Sequence, residues 1–140
     1  MSNWLITIKE PYVRRIKEGT KLYEIRTRLP NSLKPGDTIF VVRSASRGEV
    51  VLSFSVAGIY RESPSYAWSA HWRVLGITLS DFLTYTRDRR FVNLIEIQNV
   101  RKMDNCPNIR DISMKRAPQW FTKINDSQAT FFKEFHTLGL

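Results

Sequence analysis

One cysteine, Cys106, stands among 140 residues, so no internal disulfide can form, and a reducing, cytoplasmic setting is expected. No apolar run opens the chain and none reaches membrane-spanning length, so no membrane partner is expected. Metal ligands are equally scarce. His71, His136 and Cys106 are scattered without ligand spacing, and neither a metal nor a cofactor is expected. A glycine-rich phosphate loop, a GxSxG elbow and a paired-carboxylate motif are all missing. Any catalysis must then come from Lys21, Glu24, Arg26 and a partner residue.

Acidic residues are in short supply too. Thirteen Asp and Glu face twenty-two Lys and Arg, for a formal charge of +9 and a pI near 10.1, and the bases divide eleven to each half of the chain. This is a basic surface and not a basic tail. Such a surface attracts polyanions, of which nucleic acid is the commonest in cytosol, although charge also serves solubility alone. Four Trp, five Tyr and eight Phe supply stacking surface as well as core. The length predicts a single domain over residues 1–140, able to bury a core without disulfides. Its core is expected over about 4–102, with a wrapping segment and helix over 103–140.

Hydrophobic period places the elements. Trp4 to Lys9 alternates as a strand, and Pro11 to Glu18 has helical composition with Val13 and Ile16 on one face. Gly19 closes that helix, because glycine reaches the left-handed conformation at no steric cost. From Leu22 to Arg28 the period is two: Tyr23, Ile25 and Thr27 point one way, and Leu22, Glu24, Arg26 and Arg28 the other. Glu24 and Arg26 then lie roughly 6 to 7 Å apart on one face, with Lys21 at the turn beside them. As structure alone this is a solvated strand edge with a surface ion pair.

Thr38 to Arg43 and Glu49 to Tyr60 read as further strands, the second with a bulge at Gly58. Ser65 to Val74 reads as a short helix with Trp68 and Trp72 four apart, either a lid over the barrel end or a stacking platform. Thr78 caps a helix from Leu79 to Thr86, and Asp81 has a capping-box place in its first turn. Phe91 to Val100 is a buried strand. Met103 to Ile124 reads as irregular wrapping, and a last helix docks through Phe132, Phe135 and Leu138.

The run Gly19-x-Lys21-x-x-Glu24-x-Arg26, after the helix Pro11-Tyr12-Val13-x-x-Ile16 and before Pro35-Gly36-Asp37, resembles the signature of ASCH domains in the PUA-like superfamily. The likeness extends through Gly76-Ile77-Thr78 to about Val100, and Arg116 to Phe121 resembles a closing segment of some longer members. The resemblance implies an α+β fold, a PUA-like β-barrel of five or six mixed strands flanked by helices. It also implies binding of RNA, single-stranded nucleic acid, a nucleotide or a modified nucleoside by a monomer, in a pocket at the barrel mouth.

On that reading Lys21, Glu24, Arg26, Arg28, Trp68 and Trp72 bind the ligand, with Lys21 and Arg26 suited to phosphate and Glu24 to a base amino group. Arg14, Arg15, Arg87, Arg89 and Arg90 form a basic rim. A small ASCH-type amidohydrolase acting on acetylcytidine implies catalytic roles for Lys21 and Asp81, but its threonine position is Glu24 here. A carboxylate cannot be that hydroxyl nucleophile, although it can act as a general base. The resemblance admits ribonuclease activity as well, and a regulatory interaction module would require no turnover at all.

Overall fold

The computed structural model describes residues 1–138. Its elements follow in the order β1 (Asn3–Ile8), α1 (Glu10–Glu18), β2 (Tyr23–Arg26), β3 (Thr38–Arg43), β4 (Val50–Glu62), α2 (Pro64–His71), α3 (Leu79–Tyr85), β5 (Val92–Lys102), β6 (Thr122–Ile124) and α4 (Asp126–Lys133). Six strands form one mixed sheet in the order β2-β5-β4-β3-β1-β6. β1 and β3 run parallel and every other pair is antiparallel. The expected α+β fold with six mixed strands and flanking helices is present.

Closure into a barrel is not. The edge of β1 carries β6 along Asn3 to Leu5, and β2, four residues long, pairs with β5 alone. Where a closing ladder between β1 and β2 would run, one side chain reaches across instead: Arg26 Nη2 donates to the Thr7 carbonyl at 3.2 Å. The unclosed seam becomes the site described below. Sequence period leaves β6 inside irregular wrapping, since three residues are too few to show an alternation.

Each sheet face is buried by a separate set of helices. Trp4, Ile6 and Ile8 alternate onto the face that also packs Ile39, Val41 and Phe54 and receives Val13 and Ile16 of α1. Leu5, Phe40 and Val42 point the other way, against Ala129 and Phe132 of α4. A third cluster joins Ile25, Val92 and Leu94 to Ala67, Leu75 and Phe82 around α2 and α3. The alternation fails at Gly58, as expected, where the β4–β5 register slips between Val56 and Gly58. The last helix ends sooner than its aromatic stripe suggests. Phe132 is fully buried, Phe135 lies past the helix end, and Leu138 is 82% exposed.

Asp37 pins the start of the sheet. Its carboxylate accepts from the Trp4 indole at 2.9 Å and from the backbone of Ser2 and Lys34 at 2.9 and 3.1 Å. Burial pushes this carboxyl up, but the three donors together outweigh it and hold the group below its usual range.

Candidate functional site

Gly19 ends α1 with φ +81, and the chain then folds back so that Lys21 N–H donates to the Arg15 carbonyl at 3.1 Å. This turn aims the Lys21 side chain inward, where it is 3% exposed. Its Nζ donates to the Leu75 carbonyl at 2.7 Å and sits 3.8 Å from Glu24 Oε1. The period of two in β2 turns Tyr23 and Ile25 into the third cluster and Glu24 to the opposite side. Glu24 is 5% exposed, not solvated as a strand edge would be. Arg26 Nε and Nη2 both reach Glu24 Oε2, at 2.8 and 2.7 Å.

These groups line a cavity of about 540 Å³. Thr7, Ile8 and Lys9 at the end of β1 form one wall, Tyr12 of α1 another, and Ile77, Asp81, Thr84 and Tyr85 on and before α3 the third. The Lys21 ammonium lies 5.2 Å from the Tyr12 ring centroid. Burial, and after it the negative charge of Asp81, pushes the Tyr12 phenol up, so it remains a donor at neutral pH. Asp81 thus lines the cavity as well as standing in the first turn of α3. The Thr78 hydroxyl accepts from Asp81 N–H at 3.1 Å, but the reciprocal half of a capping box is not formed.

Burial drives the Lys21 pKa down; Glu24 opposes this, while Arg26 and Arg15 reinforce it. The hydrogen bonds are unequally shared. Glu24 Oε2 is taken by Arg26, whereas Oε1, 3.8 Å from Lys21 Nζ, receives no hydrogen bond among the described residues. Lys21 Nζ donates one hydrogen bond, to the Leu75 carbonyl, and borders the cavity with donor capacity left over. An acceptor and a donor therefore lie side by side at the pocket floor.

Of the residues singled out from sequence, Lys21, Glu24, Arg26 and Asp81 meet here. Arg15 is a strut: its Nη1 donates to the Gly76 carbonyl at 2.9 Å. Arg14 pairs with Glu18 on the exposed side of α1, and Arg87 is exposed after α3. Arg28, Arg89 and Arg90 line a neighbouring cleft of about 730 Å³. Trp68 and Trp72 line neither cavity. Trp68 packs on Phe82 at 5.2 Å, and Trp72 stacks on Trp68 at 6.5 Å.

Sequence pattern does not single out Tyr12, Thr84, Tyr85 or Gly76 as site residues. Gly76 has φ +63, and a Cβ there would come within 2.4 Å of Lys21 Cβ. Only glycine lets the Leu75–Gly76 backbone lie against the lysine stem. Its place in the Gly76-Ile77-Thr78 run is the available signal. No helix among the described residues is long and apolar enough to cross a membrane.

Comparison with solved structures shows the same architecture. ASCH from Zymomonas mobilis superposes with a TM-score of 0.86 at 13% identity, over 97% of this chain and 96% of that one. A protein from Rhodopseudomonas palustris, solved by NMR, gives 0.53 at 13% identity over 96% and 92% of the two chains. At such identities the likeness is one of fold. No curated protein matches the sequence. The ASCH domain family model matches residues 6–107, a span that contains the whole Gly19 to Arg26 signature and the α3 wall facing it. The chain belongs to the ASCH domain family.

Proposed function

We propose that this protein binds RNA or a nucleotide, and that the Lys21–Glu24–Arg26 pocket receives the nucleobase. ASCH domains have a PUA-like fold, which is generally linked to RNA binding. The observation that carries the reading is the free acceptor of Glu24 beside the donors of Lys21, both almost fully buried and both facing an open cavity. An arrangement that keeps an acceptor and a donor adjacent and unfilled suits a base edge presenting an amino group beside a carbonyl or ring nitrogen. Tyr12 adds a ring face and a hydroxyl for the same guest.

Lys21 and Arg26 thereby serve the base and not the phosphate. Lys21 is too buried to meet a solvated phosphate, and Arg26 spends Nε and Nη2 on Glu24 and Thr7. The protein is then a cytoplasmic monomer whose affinity comes from the pocket and from surface cations together.

A second reading has one observation in its favour. A lysine whose pKa is lowered by burial is the kind that serves as a base or nucleophile, and Glu24 and Asp81 stand beside it as proton carriers. Hydrolysis of an acylated nucleoside or of RNA is the corresponding chemistry.

The test is a thermal-shift screen of nucleosides and 5′-monophosphates, acetylcytidine among them, with mass spectrometry of each mixture for turnover. Ligand-induced stabilisation of wild type that disappears in Lys21→Met and Glu24→Gln is the expected result. Stabilisation that persists in both variants removes the pocket from the function. Product formation abolished by either variant replaces the binder with the hydrolase.

A further inference from the structure

The cleft beside the pocket holds the cations that the pocket cannot spare. Arg28, Arg61, Arg89 and Arg90 line it, with Asp88 as its single acid and Phe91 on its wall. None of the four guanidinium groups is in an ion pair among the described residues. All four residues are exposed. Like charges of this number repel one another, so gathering them in one concavity, with a lone carboxylate, destabilises the free protein unless an anion joins them. Phe91 is 43% exposed, with the Arg61 guanidinium 4.6 Å and that of Arg90 5.9 Å from its ring centroid. Arginine with an accessible aromatic face is the combination that grips phosphates and stacks bases of a single strand.

The cleft adjoins the pocket through one residue, Thr27. Thr27, which borders the cleft, donates its N–H to the Tyr85 hydroxyl of the pocket at 3.3 Å. Its carbonyl accepts from Asn93 of the cleft, also at 3.3 Å. Arg26 faces the pocket, and Arg28, two residues on, faces the cleft.

We propose that this cleft carries the phosphates and a stacked neighbouring base of a single-stranded nucleic acid whose target base occupies the Lys21 pocket; the proposal rests on the pocket reading above. The ligand is then a strand and not a free nucleoside or mononucleotide. The pocket identifies one base, and Arg28, Arg61, Arg89, Arg90 and Phe91 supply the sequence-independent grip. An acidic peptide would satisfy the arginines but has no use for an open aromatic face or for the base-edge pattern next door.

The experiment is fluorescence anisotropy with a labelled single-stranded RNA of about ten nucleotides and mixed sequence, titrated at several salt concentrations. The proteins are wild type, the triple variant Arg61→Ala/Arg89→Ala/Arg90→Ala, and Phe91→Ala. Each phosphate contact on a single strand contributes roughly 0.7 to the slope of log affinity against log salt. The triple variant should therefore lose about 2 from that slope and at least roughly tenfold in affinity at 0.1 M salt. Phe91→Ala should lose about tenfold with the slope unchanged, because stacking releases no counterions. Circular dichroism melts of both variants should match wild type.

Unchanged affinity and slope in the triple variant would overturn the proposal. So would polyglutamate displacing the RNA at equal charge, or competition by ribonucleoside 5′-monophosphates as strong as by unlabelled strand. In the last case the pocket reading survives and only the strand falls. Wild type that binds neither strand nor monophosphates overturns both.

Discussion

The two cavities on either side of Thr27 treat charge in opposite ways. In the pocket, Lys21 and Glu24 are withdrawn from water and Arg26 is half-buried, with the one carboxylate shared between the two cations; in the cleft, four arginines are solvated and in no ion pair among the described residues. Buried charges are positioned to within fractions of an ångström by their partners, and desolvation makes each partner matter. Exposed guanidinium groups are held loosely, interact weakly and act by their sum. Discrimination belongs to the first arrangement and long-range attraction to the second. Mutations should separate the two: changes in the pocket should disturb fold and ligand choice, and changes in the cleft only the salt-dependent part of affinity.

The largest effect is expected from Glu24→Gln. It keeps the shape but removes the anion that pairs with both Lys21 and Arg26, and breaking a buried ion pair on one side costs about 3 kcal/mol or more. For a domain of this size that corresponds to a drop of roughly 10 °C in Tm, measurable by calorimetry. Arg89→Ala/Arg90→Ala should leave Tm where it is. Equal Tm values for Glu24→Gln and wild type would mean that the cluster is not held as a unit.

Gly76→Ala comes next. The substitution forces a side chain onto backbone at φ +63 and drives a Cβ to within 2.4 Å of Lys21 Cβ. Conformational strain and overpacking together cost about 1–3 kcal/mol. Displacement of Lys21 should remove ligand-induced stabilisation as well, although Gly76 makes no contact of its own with the guest. Retained ligand response at reduced stability would show that Lys21 tolerates the shift.

How much of this is legible in the sequence depends on whether the information is local. Gly19, the period of two in β2 and the Thr78 cap are written in adjacent residues, and the structure contains all three. Opposite orientations of Ile25 and Glu24 follow from strand geometry alone. Burial of Glu24 does not, because what covers it is Tyr12 and α3, which come from distant parts of the chain. The same limit applies to Arg15, whose helical position reads as solvent-facing until the Gly76 carbonyl is brought to it. The open seam in place of a closed barrel is hidden for a related reason. That β6 occupies the edge of β1 is a matter of pairing across more than a hundred residues, and a three-residue strand carries no pattern to announce it. The cleft is half legible: Arg89 and Arg90 are conspicuous as a run, but Arg61 and Phe91 join them only through the register of β4 and β5.

Lys21→Met tests whether the pocket gives up stability for function. Methionine fills the channel beside Gly76 without a charge, and Glu24 keeps Arg26 as its partner. The Leu75 carbonyl loses its donor, which opposes the relief of desolvation, so the net change should stay within about 1 kcal/mol. Binding should vanish all the same. A Tm near wild type with no ligand response is the expected pair of results, whereas a collapse of stability would make Lys21 a structural residue.

The smallest effect is the most selective. Because burial holds the Lys21 pKa below that of a lysine in the unfolded chain, the unfolded state binds more protons between the two values, and stability attributable to this group rises with pH there. Its contribution is fully present above the unfolded pKa of about 10.4 and is lost as pH falls through the folded value. Tyr12 and Tyr23 act in the opposite sense. Burial raises both phenols, so their contributions are present below the unfolded tyrosine pKa and fade as pH rises through the folded values. Wild type alone would show only the difference of these trends. Denaturation midpoints of wild type and Lys21→Met, measured side by side from about pH 7 to about 10.5, cancel most of the tyrosine part. The wild-type curve should climb relative to the variant over that window, while Arg89→Ala/Arg90→Ala, which leaves the pocket intact, should run parallel to wild type. Parallel curves for wild type and Lys21→Met would mean that water reaches the lysine and that the contrast between the two cavities is one of shape, not of solvation.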